Sequence, residues 1–129
     1  MTIKRIIPTL WVTDINATIN FYCDLLGFCC IERHEENAVL ELADMRLRIS
    51  LPFPQEPFDH PHFTGSLYFE PENVDALWSA VKDKTQVIQQ LSDYANGQRE
   101  FSIRDINGYM LQFGVPIQKP EPYAHFVIA

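Results

Sequence analysis

An internal repeat is the feature that most constrains how this chain folds. Residues 14–17 match residues 73–76 at an offset of 59, and residues 44–49 match residues 108–113 at an offset of 64. The same order of strand, helix and three strands accompanies both copies. One such unit covers a single face of its sheet with a helix. The other face stays open unless two units set their sheets edge to edge and curl into a cup.

The first copy of the repeat occupies about residues 3–51. A strand over residues 3–13 precedes Asp14, which caps a helix of apolar residues at helical spacing, and Gly27 ends that helix. The alternating polar and apolar residues that follow are typical of strands with two different faces. The pattern predicts these three strands at about residues 28–34, 38–43 and 45–51.

The second copy begins after a connector over residues 52–65, whose prolines exclude a regular element. It covers about residues 66–115 and starts with a strand at 66–70. Asn73 then caps a second helix, and a tail occupies residues 116–129. Three further strands are predicted at about residues 86–91, 99–104 and 109–115. A chain of 129 residues fits one domain made of both copies.

The composition of the chain argues against several classes of function. The net charge of −7 argues against nucleic acid, because a phosphate-binding face needs a basic patch. No apolar run approaches the roughly 20 residues that cross a bilayer, and the N-terminus lacks a signal-peptide core, so we expect a cytoplasmic protein with no membrane partner. The three cysteines, two of them adjacent, indicate reduced and mostly buried thiols; a nucleophilic or redox thiol is the alternative.

Two motifs frame the repeat. The first motif is Asp14 followed by FYCDLLGF at 21–28, and it resembles the "D…FY…LGF" opening of the glyoxalase/bleomycin-resistance (vicinal oxygen chelate) superfamily. The second motif is GQREFSIRDINGYMLQFG at 97–114, and it resembles the "G.REF…DP.G…EF" closing of the same superfamily. The resemblance covers about residues 5–117. It implies an α+β fold of two βαβββ modules that form a curved mixed sheet, the cup, with helices on the outer face. It does not imply one activity, because members include lyases, isomerases, ring-cleaving dioxygenases, thiol transferases and drug-binding proteins.

The resemblance also implies a divalent metal held in the cup by His and Glu from four strands. The corresponding positions here are Ile7, Arg48, Ser66 and Gln112. Isoleucine has no donor atom, serine and glutamine are poor ligands, and arginine is a fixed cation without a lone pair. We therefore predict no metal and no cofactor. His60 and His62 lie in the connector and are interpreted as ordinary loop histidines. His34 is interpreted as a solvated or structural residue.

Strand alternation predicts which side chains line the cup. The candidate ligand-binding residues are Trp11, Arg48, Ser66, Tyr68 and Gln112. Flat aromatic rings stack on a ligand ring, and a guanidinium binds a carboxylate or phosphate in bidentate fashion. A cup with polar residues on its inner face is a small-molecule site by default.

Two alternatives remain open for these residues. Trp11 and Tyr68 are equally suited to core packing. Arg48 is equally suited to an ion pair with Glu41 or Glu70 that closes the cup.

The leading hypothesis is a metal-independent small-molecule binding protein of the bleomycin-resistance type, without catalytic residues, that sequesters a small anionic or aromatic molecule. The first alternative is a metal-dependent glyoxalase-like lyase or isomerase, or a ring-cleaving dioxygenase. The second is a non-catalytic partner module whose cup is filled by its own side chains. We also expect a homodimer, with Tyr123 and Phe126 of the tail contacting the other subunit.

Overall fold

The secondary structure follows the repeat. The computed structural model describes residue 2 and residues 4–117, so Tyr123 and Phe126 lie outside the described residues. Within that part the chain forms eight strands and two helices. In chain order they are β1 (Thr9–Trp11), α1 (Ile15–Leu26), β2 (Cys29–Arg33), β3 (Asn37–Leu42), β4 (Met45–Ser50), β5 (Leu67–Phe69), α2 (Val74–Val81), β6 (Gln86–Asp93), β7 (Gln98–Arg104) and β8 (Met110–Pro116).

The strands form two sheets with the same topology. The first sheet has the order β1-β4-β3-β2, with β1 parallel to β4 and the other neighbours antiparallel. The second sheet has the order β5-β8-β7-β6, again with its first strand parallel to its last. The predicted α+β class with two βαβββ modules is confirmed.

The helix caps explain why both helices begin where the repeat predicts. The Asp14 side chain accepts a hydrogen bond from the Ala17 N–H, and the Asn73 side chain accepts one from the Ala76 N–H, each at 3.0 Å. Either bond satisfies an N–H group that the first helical turn leaves without a partner. Gly27 ends α1 with a left-handed φ of 81°, which glycine adopts without the strain that a Cβ atom imposes.

Alternation along the strands decides what is buried in each module. In the first sheet the side chains of Leu10, Leu47 and Ile49 are almost fully buried. In the second, the ring of Phe101 lies 5.1 Å from those of both Trp78 in α2 and Phe113 in β8. These apolar side chains form the face of each sheet that its helix covers. We call the opposite face, which carries the alternate residues, the open face.

The turn between β7 and β8 packs with the first module. Contacts group residues 104–109 with residues 4–64, while residues 65–103 and 110–117 form the second unit. The Tyr22 hydroxyl donates to Asp105 Oδ2 at 2.6 Å, and the Tyr109 hydroxyl donates to the Trp11 carbonyl at 2.5 Å. Burial raises the pKa of the Asp105 carboxyl, although hydrogen bonds from Tyr22 and from turn N–H groups oppose that shift.

Two details differ from the sequence-based expectations. The first strand covers only Thr9–Trp11, because Pro8 has no N–H to donate and residues 4–7 are not part of a strand. The thiols are free, but Cys29 and Cys30 are exposed and Cys23 is half-buried. The prediction of mostly buried thiols was wrong, because the edge strand β2 is exposed along its whole length. The connector has no helix or strand, as expected.

Candidate functional site

A cavity of about 650 Å³ lies on the open face of the first sheet. The strand register places four of its lining side chains in one row across all four strands. Thr9 in β1 is opposite Arg48 in β4, Arg48 is opposite Val39 in β3, and Val39 is opposite Glu32 in β2. Cross-strand neighbours of this kind are about 5 Å apart at Cβ. The residues beside Arg48 in the row are therefore an alcohol and an aliphatic side chain, neither of which carries charge.

Arg48 is consequently a free cation in the cavity. Its side chain is exposed, and within the described part of the chain it forms no ion pair. The Glu41 alternative is wrong, because Glu41 is opposite Arg46 in the register and its Oε2 accepts from Arg46 Nε at 3.2 Å. Arg46 also lines the cavity, so one neutralised guanidinium and one available guanidinium share the same face.

Three further polar residues line this cavity that sequence reasoning did not assign to it: Glu32, His34 and Asn37. The turn between β2 and β3 brings them together, since the His34 N–H donates to the Asn37 carbonyl at 2.8 Å. His34 Nε2 lies 3.9 Å from Glu32 Oε2, with both side chains more than half exposed. The available signal was the spacing of Glu32 and His34, which places two residues of one extended segment on the same face.

Trp11 lines a different and smaller cavity of about 240 Å³, together with residues of the connector that include Phe58 and His62. Its ring centroid is 5.5 Å from that of Phe53 and 5.7 Å from that of Phe58, in tilted and edge-on arrangements. The structure therefore does not bring Trp11 and Arg48 to one cavity, although Thr9 lines both. The half-buried indole packs on connector rings on one side and lines the smaller cavity on another.

The other candidates lie in the second unit. The Ser66 hydroxyl donates to Gln112 Oε1 at 2.5 Å, so these two side chains partner each other. Tyr68 in β5 is 48% exposed, which excludes the core-packing alternative for it. A Cβ atom at residue 114 would collide with the Tyr68 hydroxyl, so Gly114 provides the space that the phenol occupies. Partial burial and the nearby Glu100 carboxylate raise the pKa of Tyr68 to about 12.

The donor set does not fit the divalent metal that the resemblance implies. Ile7 offers no lone pair, Arg48 offers only N–H donors, and Ser66 is already hydrogen-bonded to Gln112. Across residue 2 and residues 4–117, no three side chains of His, Cys, Asp or Glu converge where they could hold an ion. His60 and His62 have ring centroids 5.2 Å apart and lack a third partner of that kind. No chemical step through a metal follows from these residues.

The two βαβββ modules define the class of protein, a two-module α+β protein. The family model for the Glyoxalase/Bleomycin resistance protein/Dioxygenase superfamily matches residues 2–113, and the chain belongs to that superfamily. No helix in the described residues is long and apolar enough to span a membrane.

Individual relatives agree with this assignment. A bleomycin resistance protein of Geobacillus stearothermophilus is 28% identical over 122 residues, which cover 83% of this chain and 92% of the relative. A protein of unknown function from Agrobacterium tumefaciens superposes with a TM-score of 0.77 at 24% identity, covering 88% of this chain and 94% of that one. TioX from Micromonospora sp. ML1 gives 0.72 at 18% identity, covering 88% and 99%. At these identities the two structures show the shared fold.

Proposed function

We propose that this protein is a metal-independent small-molecule binding protein of the bleomycin-resistance type, which sequesters an anionic or aromatic ligand. One observation carries the proposal: the exposed Arg48 guanidinium forms no ion pair in the described structure, and it lines a cavity of about 650 Å³. That volume lies within the range of small-molecule sites. A guanidinium with both edges free binds a carboxylate or phosphate through two parallel hydrogen bonds.

The surroundings of Arg48 support an anionic ligand group. Arg46 adds a second positive charge on the same face, partly neutralised by Glu41. Asn37 and Thr9 supply uncharged polar groups, while Ile7 and Val39 supply apolar area for the rest of the ligand. Polar side chains predominate in this lining, so recognition of the ligand rests mainly on hydrogen bonds and charge.

Isothermal titration calorimetry with phenyl phosphate, benzoate and bleomycin tests the proposal. We expect phenyl phosphate to bind wild type and Arg48→Ala to weaken that binding about tenfold, the lower end for losing a charge-assisted hydrogen bond at an exposed site. Arg33→Ala is the matched control, because Arg33 lies on the same sheet and its guanidinium donates to Asn16 Oδ1 at 3.1 Å.

Three results would count against the proposal. Equal binding by wild type and Arg48→Ala would show that Arg48 is not a ligand contact. An equal loss in Arg33→Ala would reduce the effect to general surface charge. If the protein bound phenyl phosphate but not bleomycin, the anion site would stand and the bleomycin-type assignment would be refuted.

We also infer a cytoplasmic homodimer. Three free cysteines, two of them exposed, fit a reducing compartment. The edge strand β2 is exposed along its whole length and includes Ile31 at 42% exposure, so a second copy pairing there would cover both backbone and apolar surface. Sedimentation at micromolar concentration should give a dimer that Ile31→Glu weakens; a wild-type monomer would contradict the inference.

A further inference from the structure

We propose that the open face of the second sheet contains a subsite for the ammonium group of a small ligand, formed by Glu100 and Ser102 in β7. Its residues belong to the second sheet, and the proposal does not depend on Arg48. Its evidence is a pair of buried polar side chains whose hydrogen-bonding capacity the described residues leave incomplete.

The strand period places both residues on the open face. Phe101 and Ile103 are fully buried on the helix side of β7, so Glu100 and Ser102 project from the other side. Glu100 is 7% exposed and Ser102 is 0% exposed. Side chains of this polarity are buried at a cost unless they are hydrogen-bonded, and a carboxylate costs the most.

The hydrogen bonds of Glu100 are incomplete. Its Oε1 accepts from Asn96 Nδ2 at 3.0 Å, whereas its Oε2 and the Ser102 Oγ have no partner within hydrogen-bonding geometry among the described residues. The strand also carries a guanidinium at Arg99, but that group is paired with Asp75 and Asp93 at 2.7 and 2.9 Å. No ion pair to Glu100 occurs in residues 4–117.

Tyr68 does not supply the hydrogen bonds that Glu100 and Ser102 lack. Its hydroxyl lies close to the Glu100 carboxylate and bonds to it only weakly, since Oε2 has no partner in full hydrogen-bonding geometry. The same hydroxyl also approaches Gln98 Oε1 at 3.4 Å. One hydroxyl proton serves one acceptor well, so two acceptors compete for it and Ser102 gains nothing. The 3.4 Å bond is long and therefore weak, so the phenol turns aside at little cost. An ammonium group has three donors and a positive charge, so it would complete the hydrogen bonding of both Glu100 and Ser102.

Tyr68 would then act as the cover of this subsite. Gly114 leaves the space in which the phenol lies beside the Glu100 Cβ atom. An incoming ammonium group takes the place of the phenol beside Glu100, and the exposed part of Tyr68 moves into solvent. The rest of the ligand would contact the polar open-face residues of β5 and β8, where Ser66 and Gln112 already partner each other.

Three probes that share a phenylethyl group test the proposal with the full chain: 2-phenylethylammonium, the neutral 2-phenylethanol and the anionic 3-phenylpropionate. NMR titration and thermal shift should show that the ammonium probe binds at least about tenfold tighter than the alcohol. Glu100→Gln should remove that preference while keeping or raising the melting temperature, since it deletes an unpaired buried charge. Ser102→Ala should weaken binding severalfold. Asp83→Asn, an exposed carboxylate that follows α2, is the matched control and should change nothing.

The outcomes separate this inference from the anion site. Arg48→Ala should leave the ammonium probe unaffected, so loss of the phosphate probe alone would refute only the anion site. Equal binding of all three probes, unchanged ammonium binding in Glu100→Gln, or an equal loss in Asp83→Asn would overturn the ammonium subsite. Should Glu100→Gln fail to fold, Glu100→Asp retracts the charge by one methylene and should still weaken the ammonium probe relative to the alcohol; an unchanged ratio would likewise refute it.

Discussion

Replacing Tyr22 by phenylalanine should destabilise the protein by about 2 kcal/mol at neutral pH. The Tyr22 hydroxyl donates to Asp105 Oδ2 at 2.6 Å, and both residues are buried. A hydrogen bond to a charged group contributes about 1.5–3 kcal/mol. The middle of that range applies because the N–H groups of Asn107 and Tyr109 still bind Oδ1, so the carboxylate keeps two of its three donors. Phenylalanine preserves the ring packing and adds no large cavity.

The destabilisation should also depend on pH. Burial raises the folded-state pKa of Asp105, and the bond from Tyr22 opposes that shift, so Tyr22→Phe should raise the pKa further. A folded-state pKa above the unfolded value means that the contribution of Asp105 to stability is fully present below the unfolded pKa. That contribution is lost as the pH rises through the folded pKa. The bond from Tyr22 favours the ionised carboxylate and so reduces that loss. The difference between wild type and Tyr22→Phe should therefore be largest at neutral pH and shrink as Asp105 becomes protonated.

Urea unfolding at several pH values measures both effects. The double-mutant cycle with Asp105→Asn isolates the pair, and Tyr22→Phe should cost clearly less in the Asp105→Asn background. A loss below about 0.5 kcal/mol at neutral pH, or a loss that does not change on acidification, would refute the reasoning that the bond stabilises an ionised buried carboxylate.

Four further outcomes are expected. Gly114→Ala should destabilise the protein by about 1–3 kcal/mol in urea unfolding, because its Cβ collides with the Tyr68 hydroxyl, and Tyr68→Phe should recover part of that loss; an additive double variant would contradict the contact. Ultraviolet titration should show Tyr68 ionising near pH 12. Its contribution to stability should be complete below about pH 10 and lost as the pH rises towards 12, and an ordinary tyrosine pKa would contradict this expectation. Asn73→Ala should lower the free energy of unfolding by about 1 kcal/mol, because it removes the cap of α2. An unchanged melting curve would contradict this expectation. Elemental analysis after dialysis should find no stoichiometric zinc, nickel, manganese or iron; one ion per chain that Gln112→Ala removes would show that the ligand positions were misassigned.

The sequence by itself determined the topology of each module. The repeat predicted two βαβββ units, and both sheets have the same strand order. Asp14 and Asn73 predicted where the helices begin, because the cap depends on bonds only three residues apart. The period of two along β4 predicted that Leu47 and Ile49 are buried and that Arg48 faces the other way. These features are local, so a local pattern is sufficient to predict them.

Only the tertiary structure decided which side chains meet. The period of a strand predicts the face of a residue but not its cross-strand neighbour, which depends on register. Register placed Arg46 rather than Arg48 opposite Glu41, and it left Arg48 between Thr9 and Val39.

Contacts between distant parts of the chain had the same dependence on the fold. The connector has no regular period, so nothing in its sequence predicted that its rings pack against Trp11. The bond between Tyr22 and Asp105 spans 83 residues and exists because the β7–β8 turn packs with the first module. The pattern predicted the chemistry available on each face, and long-range packing decided which of those groups pair and which stay free.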